Sequence, residues 1–140
     1  MTEFLTHEDR VTWAKTVYGE ARGEPRAGQL SVAFVPFNRA QLSGRTVARE
    51  CLRPWQFSCW NPGDPNRAVI EAMSAEALTP FLALIDEVLE GVKDPSQGAT
   101  FYHTTTSKPR WRTGHSPCAR IGHHIFYKDI APYERGEETQ

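Results

Sequence analysis

The stretch Tyr18-Gly19-Glu20-Ala21-Arg22-Gly23-Glu24-Pro25 decides how this chain is read. It closes a run in which Val11, Ala14, Val17, Tyr18 and Ala21 recur at helical spacing. Thr6, followed by Glu8 and Asp9, is a capping signal, so the spacing predicts a first helix from Thr6 to the neighbourhood of Gly23. Glu24 precedes a proline and is biased out of the α region, which ends that helix. A glycine in a helix costs on the order of 1 kcal/mol against alanine. Two so close together are tolerated where backbone must approach something. Glu20 lies between them in the last turn, among carbonyls carrying negative partial charge. That setting favours the protonated carboxyl a general acid needs at a glycosidic oxygen. Spacing alone also allows a surface Glu20 paired with Arg22 or Lys15, with Gly23 a simple cap. Glu24 could be a second carboxylate only if the helix ran on, and it reads better as a capping residue or an arginine partner.

Outward from this block, Pro25 suits the first turn of a second helix with Leu30, Ala33, Phe34 and Phe37 on one stripe. Pro36 inside the stripe is expected to kink that helix or stop it early. Residues 52–67 hold three prolines and a glycine and read as an aromatic loop. Thr79-Pro80 reads as the start of another helix, with Phe81, Leu84, Ile85, Val88 and Leu89 as its core face and Gly91 as its cap. Lys93-Asp94-Pro95-Ser96 makes a turn. Ala99–Thr104 and Ile121–Lys128 are strand-like. The expectation is one α+β domain over 1–133, mainly helical with a small antiparallel β element near the C-terminus, and a loose polar tail over 134–140.

The 140 residues are 39% hydrophobic and 24% charged, enough for one core and far from a disordered composition. No apolar run reaches the roughly 18–20 residues of a membrane span, so no stable membrane insertion is expected. A net charge of −1 argues against a nucleic-acid partner, although Lys108, Arg110, Arg112, Arg120 and Lys128 make 101–128 a basic block without an acid. Cys51, Cys59 and Cys118 are odd in number and are expected as reduced, idle thiols. The first ten residues lack a basic region followed by an apolar stretch. The expectation is a protein made in the cytoplasm without a signal peptide. No coiled-coil heptad suggests an oligomer, and a monomer is expected.

Three groups of residues could carry chemistry beside Glu20. In Trp55-Gln56-Phe57-Ser58-Cys59-Trp60 an indole could cover the apolar face of a sugar while Gln56 fixes its orientation. The same aromatics could instead fold over the helices and complete the core. His103, His115, His123 and His124 raise a metal, but no H-E-x-x-H or clustered thiolate pattern supports one, and neither metal nor cofactor is expected. Adjacent strand residues face opposite ways, so at most one of His123 and His124 can share a cleft with His103.

The order of motifs resembles the spore cortex-lytic, SleB-like cell wall hydrolase family. It carries Tyr18-Gly-Glu-Ala-Arg-Gly-Glu24, Gly28-Gln29, Asn38-Arg39 and Gln56-Phe57-Ser58. It continues with Asp94-Pro95, Gly98-Ala99-Thr100, His103, Pro109 with Trp111, and Gly122-His123-His124-Ile125-Phe126-Tyr127. The resemblance spans residues 8–128 and implies a lysozyme-like, mainly helical catalytic domain. It implies cleavage of peptidoglycan glycan strands between N-acetylmuramic acid and N-acetylglucosamine, as a lytic transglycosylase leaving 1,6-anhydro-muramyl ends, with a muramidase-type hydrolase or a non-catalytic wall-binding module as alternatives. Glu20 is then the catalytic acid and base, and Gln56, His103, Trp111 and His124, with Trp55 and Trp60, are substrate-binding. Pro36 and the 112–120 loop depart from the pattern. A catalytic domain without export signal or wall-binding repeats is the format of a phage or prophage endolysin, acting on the wall after release in host cell lysis.

Overall fold

The computed structural model describes residues 5–130; the 134–140 tail lies outside them. Helix α1 (His7–Ala21) starts where the sequence signals it. Thr6 Oγ1 accepts from Asp9 N–H at 3.0 Å and Asp9 accepts from Thr6 N–H at 3.2 Å, a reciprocal cap typically contributing about 1 kcal/mol. Helix α2 (Arg26–Ser43) runs beyond Pro36 to a left-handed Gly44, so the expected early stop does not occur. Tertiary packing is the reason. Leu30 to Pro36 are all buried, and Trp13 Nε1 of α1 donates at 3.0 Å to the carbonyl of Ala33, within the turn that the proline disturbs.

Two short helices, α3 (Val47–Cys51) and α4 (Pro65–Glu71), are absent from the sequence expectation. Each is capped in the usual way, by Thr46 and Asp64, and α4 opens inside the stretch read as loop. Helix α5 (Ala75–Leu89) begins at Ser74, not at Thr79-Pro80. Ser74 Oγ caps Ala77 N–H at 3.0 Å and Leu78 is already in the core, so Pro80 falls in the second turn, where its exposed side disturbs little. Gly91, at φ 93°, ends the helix as expected. Trp13, Val17, Leu30, Phe34, Leu78, Ile85 and Val88 form the core between α1, α2 and α5. No single described helix is long and apolar enough to cross a membrane.

The β element is a three-stranded antiparallel sheet in the order β1 (Phe101–Thr104), β3 (His124–Tyr127), β2 (Ala119–Ile121). Its pairing sets Tyr102 opposite Phe126 and Thr104 opposite His124. Alternation then gives two faces. Tyr102, His124 and Phe126 share one face, where Tyr102 and Phe126 pack with Ala21, Val32, Val35 and Phe57. Phe101, His103, Ile125 and Tyr127 share the other, covered by Trp111 and Ile130. The domain is mainly helical with a small antiparallel sheet towards its C-terminus.

A buried latch holds sheet to helices. Arg39, fully buried, donates to the Thr100 carbonyl at 2.7 Å and to Gln56 Oε1 at 2.9 Å, with its guanidinium over Phe101 and Phe57. Burial pushes Arg39 down to about 10, still a cation at neutral pH. Asn38 donates to Asp94 and to the Ala99 carbonyl. Cys51, Cys59 and Cys118 are free thiols, and burial raises Cys51 to about 12.

Candidate active site

Glu20 owes its position to Gly19. A Cβ on Gly19 would stand 2.7 Å from Cys59 Cβ and 2.9 Å from its Sγ, so a side chain there would force α1 away from the short 3-10 turn at Ser58–Trp60. With that approach made, Cys59 N–H donates to Glu20 Oε2 at 2.9 Å and Ser58 Oγ donates to the same oxygen at 3.3 Å. Tyr102 of β1 donates its hydroxyl to Oε1. Burial, with the Glu20 charge and hydrogen bond adding to it, drives the Tyr102 phenol well above its usual value, so it stays a neutral donor. Three donors from two elements fix one carboxyl in place.

The carboxyl lines a cavity of about 220 Å³. Helix α1 supplies Gly19 and Glu20, the 3-10 turn Ser58, and α4 Asn66. Tyr102, His103, Thr104 and Ser107 come from β1 and the turn after it, and His124 from β3. Glu20 is the one acid among these lining residues.

The two lining histidines differ in their partners. His103 Nδ1 lies 2.7 Å from the Thr104 carbonyl, which can only accept, so Nδ1 carries the hydrogen and Nε2 accepts from the Tyr127 hydroxyl at 2.9 Å. His124 Nδ1 is buried without a hydrogen-bond partner, 3.7 Å from Glu24 Oε1. Burial lowers the His124 value, with the Glu24 carboxylate opposing.

Among the described residues Glu24 neither caps a helix nor pairs with an arginine. It accepts from His123 N–H at 2.8 Å and from His123 Nδ1 at 2.9 Å, pinning the β2–β3 turn to the α1–α2 junction. Burial works to raise the Glu24 carboxyl, but the His123 bonds and the histidine charges outweigh it and hold it below the ordinary value. Gly122 in this turn has φ 58°, and a side chain there would collide with Glu24.

The cavity therefore brings together Glu20, His103 and His124 of the residues expected from sequence. It does not include the other four. Gln56 is fully buried behind the site as the acceptor for Arg39, a structural role, because a buried guanidinium must find oxygen. Trp111 is 2% exposed and packs on Phe101, His103 and Tyr127. Trp60 is half-buried and donates Nε1 to Thr16. Trp55 is 44% exposed, at φ 64°, outside the cavity lining. Tyr102, Ser58, Asn66, Thr104 and Ser107 line the cavity in addition to the residues expected from sequence. Strand alternation placing Tyr102 beside His124 was the one available signal, and it needed the β1–β3 register. Among the described residues no group of three His, Cys, Asp or Glu could hold a metal ion.

A family model described as cell wall hydrolase matches residues 23–127, beginning just after Glu20. The spore cortex-lytic enzyme of Bacillus subtilis (strain 168) is 34% identical over 131 residues, covering 87% of this chain and 38% of that protein. That of Halalkalibacterium halodurans is 33% identical over 126 residues, 81% of this chain and 32% of that protein. The chain thus spans under two-fifths of the length of these relatives. Among solved structures, the catalytic domain of the germination-specific lytic transglycosylase SleB from Bacillus anthracis superposes with a TM-score of 0.74 at 27% identity, over 91% of this chain and all of that one. The catalytic domain of the Bacillus cereus SleB protein gives 0.74 at 26% identity, over 91% and 95%.

Proposed function

The chain belongs to the cell wall hydrolase family, and from that membership we propose that it is a lytic transglycosylase cutting the β-1,4 bond between N-acetylmuramic acid and N-acetylglucosamine in peptidoglycan. The observation that carries the reading is one cavity-lining carboxyl held by three donors, with no second acid in the lining. Hydrolysis with either stereochemical outcome calls for a second carboxylate to activate water or attack carbon. Glu24, four residues away, commits both oxygens to His123.

Glu20 in its acid form protonates the leaving glycosidic oxygen as the bond to the muramyl anomeric carbon breaks. The muramyl 6-hydroxyl closes on that carbon, giving the 1,6-anhydro end. The hydroxyl proton returns to Glu20 by the end of turnover, so the enzyme is regenerated without water. Ser58, the Cys59 amide and Tyr102 keep the carboxyl oriented and stabilise it once ionised. We propose further that the domain acts as a monomer, since among the described residues only Leu42, Leu52, Trp55, Val69, Leu89 and Val92 are large, apolar and exposed. A gel-filtration mass of twice the chain would contradict this.

The test is Glu20→Gln on purified sacculi, read by turbidity and by mass spectrometry of the products. Anhydro-muramyl ends from the native protein and none from a folded Glu20→Gln variant are expected. Reducing muramic ends would replace transglycosylase by muramidase, and full activity in the variant would remove Glu20 from the chemistry.

A further inference from the structure

Positive charge gathers beside the cavity without a partner. Between Asp94 and Asp129 the chain carries Lys108, Arg110, Arg112, Arg120 and Lys128 and no acid. In the helical part cations are paired with carboxylates: Arg10 with Asp86, Arg26 with Glu87, Arg45 and Arg53 with Glu50, and Arg67 with Glu71. Lys108 and Arg110 are exposed and Arg112 is half-buried, and among the described residues none of the three side chains has an ion pair or a hydrogen bond. Like charges so close in sequence repel one another, and a bound anion relieves that cost. Their presentation is fixed from below. Arg110 and Arg112 flank Trp111 in one 3-10 turn, and Trp111 is seated on Phe101, His103 and Tyr127. Burial raises the Tyr127 phenol and the Arg112 charge opposes it, while the Tyr127 hydroxyl bonds His103 of the cavity lining. Ser107, next to Lys108, also lines the cavity, and chain reach keeps the Arg110 Cα within about 11 Å of the Ser107 Cα.

We propose that Lys108, Arg110 and Arg112 form a carboxylate-binding rim of the cavity that takes the acidic stem peptide of the muramyl residue being cleaved. This rests on the peptidoglycan reading above, which puts the muramyl ring in the cavity because its anomeric carbon is the reacting one. The stem is joined through the lactyl group at O3 of that same ring, so its free carboxylates are held a short peptide's length from the reacting bond. The sugar rings themselves are neutral and give three unpaired cations nothing to bind, whereas a carboxylate matches the guanidinium fork. Arg120 lies on β2, separated from His103 on β1 by the intervening β3, and Lys128 adjoins Asp129, so neither belongs to the rim. The rim acts on substrate choice and affinity and takes no part in the proton transfers.

The experiment measures kcat/KM on three preparations of one batch of sacculi. The first is untreated, the second is stripped of phosphodiester-linked polymers by hydrofluoric acid, and the third is stripped and then has its carboxyls converted to amides with carbodiimide and ammonia. The native protein should cleave stripped sacculi about tenfold more efficiently than amidated ones, with the difference in KM, and the preference should shrink at about 0.5 M salt. The triple variant Lys108→Gln,Arg110→Gln,Arg112→Gln should lose the preference. Lys108→Glu,Arg110→Glu, which leaves the half-buried Arg112 in place, should turn the preference towards amidated sacculi, and it keeps the proposal open to test if the triple variant fails to fold. Equal losses on stripped and amidated sacculi would overturn the proposal, since the cations would then serve the fold or the chain's own acids. A preference that depends on untreated sacculi and vanishes on stripping would overturn it in favour of a wall phosphate polymer. No cleavage of any preparation by the native protein would remove the peptidoglycan reading itself, and the rim with it.

Discussion

The two faces of the small sheet are built from similar residues and serve different ends. The outer face sets His103 and Tyr127 under Trp111, and both His103 nitrogens are bonded. The inner face sets His124 and Tyr102 against the end of α1, where the Tyr102 hydroxyl goes to Glu20 and His124 has no bond. Exposure does not distinguish the two histidines, at 3% and 4%. Partner supply does. On the outer face every polar atom named is bonded within the sheet, whereas on the inner face the tyrosine is spent on Glu20 and the histidine is left without a hydrogen bond.

That contrast can be broken by experiment. Trp111→Ala removes the lid of the outer face and should cost about 3–5 kcal/mol of stability, measured by denaturant unfolding. A loss under 1 kcal/mol would show that the outer face is not the structural one. Tyrosine-to-phenylalanine changes then probe the two faces with one chemistry. Tyr102→Phe should lower kcat by about ten- to a hundredfold while KM moves little, because the lost donor acts on Glu20. Tyr127→Phe should leave kcat within about twofold and cost about 1 kcal/mol, seen as a melting point lower by roughly 3–5 °C. Equal effects on turnover would dissolve the distinction.

The smallest expected effect is in the pH dependence of stability. His124 has a lowered value in the fold, so the unfolded chain binds the proton first and stability drops as pH falls below about 6.5. Glu24 is also lowered, so its contribution is full above about 4.5 and is lost as pH falls through its folded value. Denaturant midpoints should therefore decline in two stages, and His124→Gln should flatten the first. A native protein equally stable at pH 7.5 and 5.5 would contradict this assignment.

The elements legible in the sequence are those whose signals are local. The Thr6–Asp9 cap, the Gly91 terminator and the strands at 101–104 and 124–127 needed no knowledge of distant residues, whereas the expected 121–128 run is broken by a turn at Gly122–His123, held by Glu24, that separates β3 from an unexpected β2. Thr46, Asp64 and Ser74 were equally local caps, but five- and seven-residue helices carry too few turns for periodicity, and Thr79-Pro80 imitated a helix start. Gly19 signalled a close approach without revealing that Cys59 makes it. Gln56 lies in a polar, aromatic loop, and nothing local in the sequence shows that the buried Arg39 of another helix donates to it. Tyr102 carries no local mark of its role, since it meets Glu20 across 82 positions. A donor for a carboxylate can come from anywhere in the chain, and composition does not say where.

The Glu24–His123 clasp spans 99 positions, and this has a bearing on the order in which the protein comes into being. A nascent chain that has left the ribosome as far as Ala99 holds Glu20, Ser58 and Cys59, yet has neither the Tyr102 hydroxyl nor the hairpin carrying His124. Contacts of such separation form late in folding, because the loop they close must first be drawn together. The Glu20 carboxyl thus leaves the ribosome well ahead of its partner Tyr102 and is fully enclosed only when β3 docks, so fragments ending before β3 are expected to be inert towards the wall.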